Sequence, residues 1–301
     1  MQNASASNAL RATRQRENIA GYLFMAPSLL FFLGFAIFPM GMCLVTSLFE
    51  YTMTNFSFIG LKNYAELFSD AIFLKSSMNT LAIVLVSVPT VCAFSLWVAS
   101  VIYKLNDRVT SFFRCVFYLP VVTGSVAVTV VWKWMFNPYY GLLNHVFKMM
   151  GIIGQNVNWL GNVDTALGCI ILILFTTSVG QPIVLYVSAL SNVDHSLIEA
   201  SKVDGATNMQ VFWRIKWPMI MPTTLYILVI TTINSFQCFA LIQLLTSGGP
   251  INSTSTIMYY IYYEAFKLNR YGYGSAMGVV LAVIIALFSA VQFRLAKSDN
   301  G

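Results

Sequence analysis

Uncharged, mostly apolar stretches recur along this chain at roughly 18 to 49, 76 to 103, 115 to 132, 165 to 193, 217 to 263 and 271 to 293. A helix of about 20 apolar residues crosses the hydrocarbon core of a bilayer, so each stretch predicts a span. The fifth is too long for one. Its middle reads Ser247-Gly248-Gly249-Pro250, then Asn252, Ser253, Thr254, Ser255 and Thr256, a run of turn formers that ends a helix near Thr246. The next segment, Ile257 to Phe266, is aromatic-rich and too short to cross. It is expected to lie in the membrane interface or to pack as a lid on the outer face. The pattern therefore predicts an all-α, polytopic membrane protein with six transmembrane helices.

Composition agrees with a bilayer as solvent. Of 301 residues, 57% are hydrophobic and 9% charged, against roughly 25% charged in soluble domains. The 17 Lys+Arg exceed the 11 Asp+Glu, but they are scattered in short loops, which reads as a topology signal and not as a nucleic-acid surface. One side of the predicted bundle receives Arg11, Arg14, Arg16, Lys104, Arg108, Arg114, Lys202, Arg214, Lys216, Arg294 and Lys297. The other receives Lys62, Lys75, Lys148, Lys267 and Arg270, with Lys133 at a helix end. This asymmetry places both termini in the cytoplasm, with a tail over 1 to 17, a permease domain over 18 to 301 and a long inner loop over 191 to 221. The apolar run after the N-terminal arginines contains Pro27 and Pro39 and has no small-residue cleavage site, so it is read as an uncleaved first helix.

Turn signals on the outer side are Gly60-Leu61-Lys62-Asn63-Tyr64 and Asn137-Pro138-Tyr139-Tyr140-Gly141. Cys43, Cys92, Cys115, Cys169 and Cys238 stand singly and read as small buried hydrophobes. His145 and His195 read as surface residues, and Tyr259, Tyr260, Tyr262, Tyr263 and Phe266 as an interfacial aromatic belt. No metal site is expected, and no catalytic constellation.

The inner loop reads Leu197-Ile198-Glu199-Ala200-Ser201-Lys202-Val203-Asp204-Gly205-Ala206, then Phe212-Trp213-Arg214-Ile215-Lys216-Trp217-Pro218 and Pro222. Asp204 and Gly205 are placed to end one helical turn and cap the next. Met209, Phe212 and Trp213 recur at three- and four-residue spacing, which gives a short amphipathic helix with an apolar knob for a partner's groove. An interfacial helix held at the headgroups by Arg214, Lys216 and Trp217 is the plainer reading of the same residues.

This loop resembles the EAA motif of ABC importer permeases. Glu199, Ala200, Gly205, Ile215 and Pro218 fall at the motif's spacings, while Ser201 replaces its third small residue and Trp217 its Leu. Resemblance to the first permease subunit of maltose-type carbohydrate importers extends over almost the whole chain. It is carried by Ala26-Pro27, Phe38-Pro39, Gly60 to Tyr64, Leu119-Pro120 before helix three, Asn137-Pro138 with Gly141 and Asn144, and Leu244 to Pro250.

The resemblance implies a coupling helix that docks on an ATP-binding subunit, through Glu199, Ala200, Ser201, Asp204, Gly205, Ala206, Met209, Phe212, Ile215 and Pro218. Gly205 would permit the bend, and Glu199 would be the salt-bridge or capping partner at the joint. It implies as partners a second homologous permease, an ATP-binding cassette ATPase dimer and an extracytoplasmic solute-binding protein, in a bacterial inner membrane. No cofactor is expected on this chain. ATP and Mg would sit on the partner ATPase, because the chain has no Gly-x-x-x-x-Gly-Lys-Ser/Thr loop.

The family also places the translocation path along helix five and the helix before the inner loop. Helix five carries Thr231, Thr232, Asn234, Ser235, Gln237, Cys238 and Gln243. Thr231, Ser235 and Cys238 share a face, flanked by Asn234. Gly180 and Gln181, with Pro182, break helix four at similar depth. Such hydroxyl and amide groups suit a sugar, and equally they serve as glue between helices. A glycerol-phosphate-type solute is the near alternative, although a phosphate calls for a cation that these spans do not offer. An ion-coupled secondary transporter would need charges inside its spans, and a membrane enzyme would need a catalytic cluster. Neither pattern is present.

Overall fold

The computed structural model describes residues 21–298, so the predicted tail over 1 to 17 and Arg11, Arg14 and Arg16 lie outside the described residues. Four helices are long and apolar enough to cross a membrane, and six spans result when each of two bent pairs counts as one. The predicted count and the all-α class hold, with one small addition. After α1 (Gly21–Thr46) the chain makes a two-stranded hairpin, β1 (Phe49–Tyr51) and β2 (Phe56–Phe58), paired antiparallel with Phe49 opposite Phe58. Its run of alternating aromatics, with the Phe49 and Phe56 rings 4.7 Å apart, is a strand pattern too short to register in hydropathy. A short helix, α2 (Lys62–Ser69), leads from the hairpin to the second span.

The bundle is organised around α3 (Ala71–Ile102), which begins five residues before the predicted stretch because Asp70 caps it. Buried positions on α3 recur at Ser76, Thr80, Val84, Ser87, Val91, Ser95, Val98 and Ile102, a helical stripe that turns inward. Its polar members are bonded where they meet irregular backbone. Asn79 Nδ2 donates to the carbonyls of Asn252 and Ser255, Thr80 Oγ1 accepts from the Ile257 N–H, and Ser95 Oγ donates to Val179 O. Buried polar groups thus hold the segment after Ser247 against α3, where water cannot satisfy its backbone.

The third span differs from expectation. It is α4 (Asp107–Val122) and α5 (Ser125–Met135), joined through Thr123 and Gly124 at 94°. Pro120 lies inside α4 and not ahead of the span. Lacking an N–H, it weakens the last turn, and the extended Thr123 and Gly124 complete the break. After α6 (Leu142–Met149), the fourth span is α7 (Val163–Ser178) and α8 (Gly180–Ser191), bent by 41° at the anticipated Gly180-Gln181-Pro182 step.

The inner loop forms α9 (His195–Val203) and α10 (Asn208–Val211). A wide π turn over Phe212–Lys216 then runs into α11 (Trp217–Phe236), which breaks at Gln237 before α12 (Ala240–Leu245). The helix therefore ends near Thr246 as predicted, with an interruption that was not. Next, α13 (Ile257–Tyr262) and a π turn (Tyr263–Lys267) lead to α14 (Tyr271–Ser298).

Of the two readings of Ile257 to Phe266, the structure favours the packed lid. Tyr259, Tyr260 and Glu264 are buried, whereas Tyr263 and Phe266 are exposed, so the aromatic run is two-sided and not a uniform belt. Two further details depart from the sequence reading: Cys115 is exposed, and Cys43 is only half-buried where its Sγ–H donates to Ser275 O of α14 at 3.6 Å.

Candidate functional site

Two regions hold the predicted site residues. In the loop, Asp194 caps α9 by accepting from the Ser196 N–H at 2.9 Å, and that bond, with the Ser196 hydroxyl, lowers its pKa. The exit from α9 is a Schellman turn: the Gly205 N–H bonds Lys202 O at 3.1 Å and the Ala206 N–H bonds Ser201 O at 2.9 Å, with Gly205 at φ +82°. Asp204 closes α9 as its C-cap, donating its N–H to Ala200 O.

The next helix is not capped by Asp204 or Gly205. Thr207 does this, with its hydroxyl accepting from the Gln210 N–H while Gln210 Oε1 accepts from the Thr207 N–H. This capping box is legible as Thr-x-x-Gln ahead of an apolar run. Glu199 is exposed and enters no ion pair among the described residues.

The loop exposes large apolar side chains among charged ones. Met209 is 66% exposed, Trp213 56%, and Val203, which lies outside the predicted three- and four-residue spacing, 89%. Phe212 faces the other way. It is half-buried beneath the loop beside the fully buried Val211, while Ile215 packs on the main core and Pro218 starts α11. Glu199, Ala200 and Asp204 line the same exposed surface, with Ser201 and Ala206 half-buried behind it.

The second region lies between α4, the α7–α8 bend and α11. Gln181, Thr231 and Asn234 meet around a cavity of about 120 Å³, joined by Thr177, Ser178 and the half-exposed Tyr226. Beside it, sharing Val121 and Thr177, a hollow of about 330 Å³ is lined by Gln237 and Cys238 at the α11 break. Ser235 is 2% exposed and lines neither, so the predicted face of Thr231, Ser235 and Cys238 is divided by that break. Thr177 and Ser178 at the end of α7, and Tyr226 in the middle of α11, escaped the sequence reading because nothing in the pattern distinguishes them from other polar residues of the spans.

Gly180 is a packing position. A Cβ there would lie 2.2 Å from Phe117 O and 2.8 Å from Val121 Cγ2, so its hydrogen lets α8 approach α4, as small residues do between membrane helices. Gly180→Ala is expected to destabilise the protein by about 1–3 kcal/mol through overpacking. A lowered unfolding midpoint in detergent checks this, and an unchanged midpoint refutes it.

The comparisons with known proteins cover nearly all of the chain. Residues 72–298 match the model of the family described as binding-protein-dependent transport system inner membrane component. The probable ABC transporter permease protein YesP of Bacillus subtilis is 34% identical over 96% of this chain and 94% of its own. The lactose transport system permease protein LacF of Rhizobium radiobacter is 30% identical, covering 93% and 95%. The sn-glycerol-3-phosphate transport system permease protein UgpA of Agrobacterium fabrum is 28% identical, covering 93% and 95%. Among solved structures, a chain of a bacterial alginate ABC transporter in complex with an alginate pentasaccharide-bound periplasmic protein superposes with TM-score 0.82 at 23% identity, covering 95% and 96%.

Proposed function

Since this chain belongs to the family of binding-protein-dependent transport system inner membrane components, we propose that it forms half of a saccharide pathway, coupled through its inner loop to a separate pair of ATPase subunits. Membership makes it a non-catalytic, multi-pass inner-membrane subunit. Its proposed partners are a second homologous permease, an ATPase dimer and an extracytoplasmic solute-binding protein, and both of its termini are proposed to lie in the cytoplasm.

The saccharide reading is carried by the cavity of Gln181, Thr231 and Asn234. These amide and hydroxyl groups exchange hydrogen bonds with sugar hydroxyls and impose no charge, which suits weak, brief binding in transit. The sugar-named relatives support the same class. The glycerol-3-phosphate relatives are the observation favouring the second reading, and against it stands the absence of any lysine or arginine lining the cavity.

Coupling is carried by the loop. Val203, Met209 and Trp213 form an apolar knob that suits a groove on an ATPase subunit. The rigid turn at Gly205 would transmit ATPase closure to α11, which continues directly from α10, and so reorient the cavity between the two sides.

Uptake of labelled solutes by vesicles holding the complete assembly tests this. ATP inside the vesicles should drive import of a neutral saccharide, and Gln181→Leu or Asn234→Leu should raise its KM by about fivefold to thirtyfold, one or two hydrogen bonds at about 1 kcal/mol each. Preference for a phosphorylated solute would overturn the saccharide reading. Uptake without ATPase subunits would overturn the importer reading.

A further inference from the structure

Under the inner loop lies a cavity of about 430 Å³ that the transport reading does not use. The end of α3 contributes Tyr103 and Lys104, α9 contributes His195 and Lys202, and the start of the α10–α11 helix contributes Asn208 and Lys216. Three lysines from three parts of the chain therefore line one space, and no aspartate or glutamate among the described residues lines it. Neither ion pair among the described residues involves a lysine.

Lys216 is the informative member. It is half-buried, its Nζ donates to the neutral Tyr103 hydroxyl, and it stands 5.0 Å from the Tyr103 ring centroid, while Lys104 approaches the same ring at 5.8 Å. Two lysines approach one tyrosine ring and three line a space without a carboxylate among its described lining, so their positive charge is left for an anion to compensate. The donors also suit one chemistry. Ammonium groups, an amide and an imidazole surrounding a volume wider than a water fit a group with several acceptor oxygens in different directions.

We propose that this cavity binds a phosphate-type anion, either the phosphodiester headgroup of an anionic lipid or a free phosphate or diphosphate. Its occupant would bridge α3 to α9 and to the head of α11, and so brace the loop against the bundle. The site stands independently of the solute, and it rests on the proposed orientation only for which leaflet would supply a lipid.

The test uses the full chain purified with its partner subunits in neutral detergent, titrated separately with short-chain phosphatidylglycerol, short-chain phosphatidylcholine and inorganic pyrophosphate. Binding is followed by the unfolding midpoint and by native mass spectrometry. Saturable binding of phosphatidylglycerol but not phosphatidylcholine supports the site and identifies the lipid source, and saturable binding of pyrophosphate supports it with a free phosphate. In either case the affinity should fall about tenfold in K202Q/K216Q and should weaken with added salt. K148Q, outside the cavity, should bind as the parent does. No saturable binding of either phosphate probe, or equal binding by parent and K202Q/K216Q, overturns the proposal. ATP-driven uptake is not the readout, so a failed importer reading leaves the result interpretable.

Discussion

Gly205→Val and Trp213→Asp are each expected to abolish ATP-driven uptake by the assembled transporter while the chain folds and the solute-binding protein still captures its ligand. The two act differently. Gly205 sits at φ +82° with open space around its missing Cβ, so valine meets no neighbour and suffers only from its backbone, at roughly 1–2 kcal/mol. That strain falls on the turn whose two bonds, Gly205 to Lys202 and Ala206 to Ser201, orient α10 relative to α9. Gly205→Asn should keep partial function, because asparagine tolerates this conformation.

Trp213 is exposed, with its ring 5.5 Å from the half-buried Trp217 and 5.3 Å from the half-buried Phe212, neighbours that hold it in place. Losing such an anchor from an interface costs about 2–4 kcal/mol, so docking should weaken by roughly thirtyfold to a thousandfold. Uptake is measured alongside co-purification of the ATPase and the unfolding midpoint. Parental transport in both variants would refute the coupling assignment, and a collapsed midpoint would mark a folding defect instead.

Legibility in the sequence divides along physical lines. Bilayer solvation imposes length and apolarity on every span, so the six-span layout, the bend beside Gly180-Gln181-Pro182 and the end of a helix near Thr246 were all visible in composition and punctuation. The 94° turn at Thr123-Gly124 and the interruption at Gln237 were not. Both fall inside apolar runs, where hydropathy is blind to direction and the outcome depends on tertiary contacts, such as Thr256 Oγ1 donating to Cys238 O. The loop shows the same division. Gly205 pointed to the bend, yet the cap fell to Thr207 and Gln210 instead of Asp204, Phe212 turned inward and Val203 outward, because spacing along one helix does not say which face of a two-helix loop meets the bundle. In the path, Gly180 carried two meanings in the sequence, and only the 2.2 Å approach to Phe117 O separates them.

At the opposite end of the bundle, replacing Asp70 with alanine should cost about 3 kcal/mol of stability, among the largest single-residue losses in the fold: the helix cap is worth about 0.5–2 kcal/mol, and two hydroxyls left without their acceptor cost about 1–3 kcal/mol each, partly relieved by water. One oxygen, Oδ1, accepts the Ile72 and Phe73 N–H groups and caps α3 at 2.8 and 3.3 Å. The other, Oδ2, accepts the hydroxyls of Tyr260 at 2.6 Å and Tyr273 at 2.8 Å, both rings being almost fully buried. A single carboxylate thereby ties the start of α3 to α13 and α14. The neighbouring Arg270, which reaches Glu66 on α2 and Glu264 at 3.0 Å, joins adjoining elements.

Titration supplies an independent signature. Burial alone would raise the Asp70 pKa, but the two tyrosine hydroxyls and the two backbone N–H groups outweigh it and hold the carboxyl below its ordinary 3.8. A group whose folded pKa is depressed contributes stability that is present above its unfolded value and is lost as pH falls through the folded one. The parent's unfolding midpoint should therefore fall more steeply than that of Asp70→Asn as the pH drops below about 4, with the gap between them closing there. Asparagine keeps the cap and the fold but does not titrate, so subtracting its profile removes the contribution of every other acid. A gap that stays constant from neutral pH to below about pH 4 would show that the charge on Asp70 does not hold these three helices together.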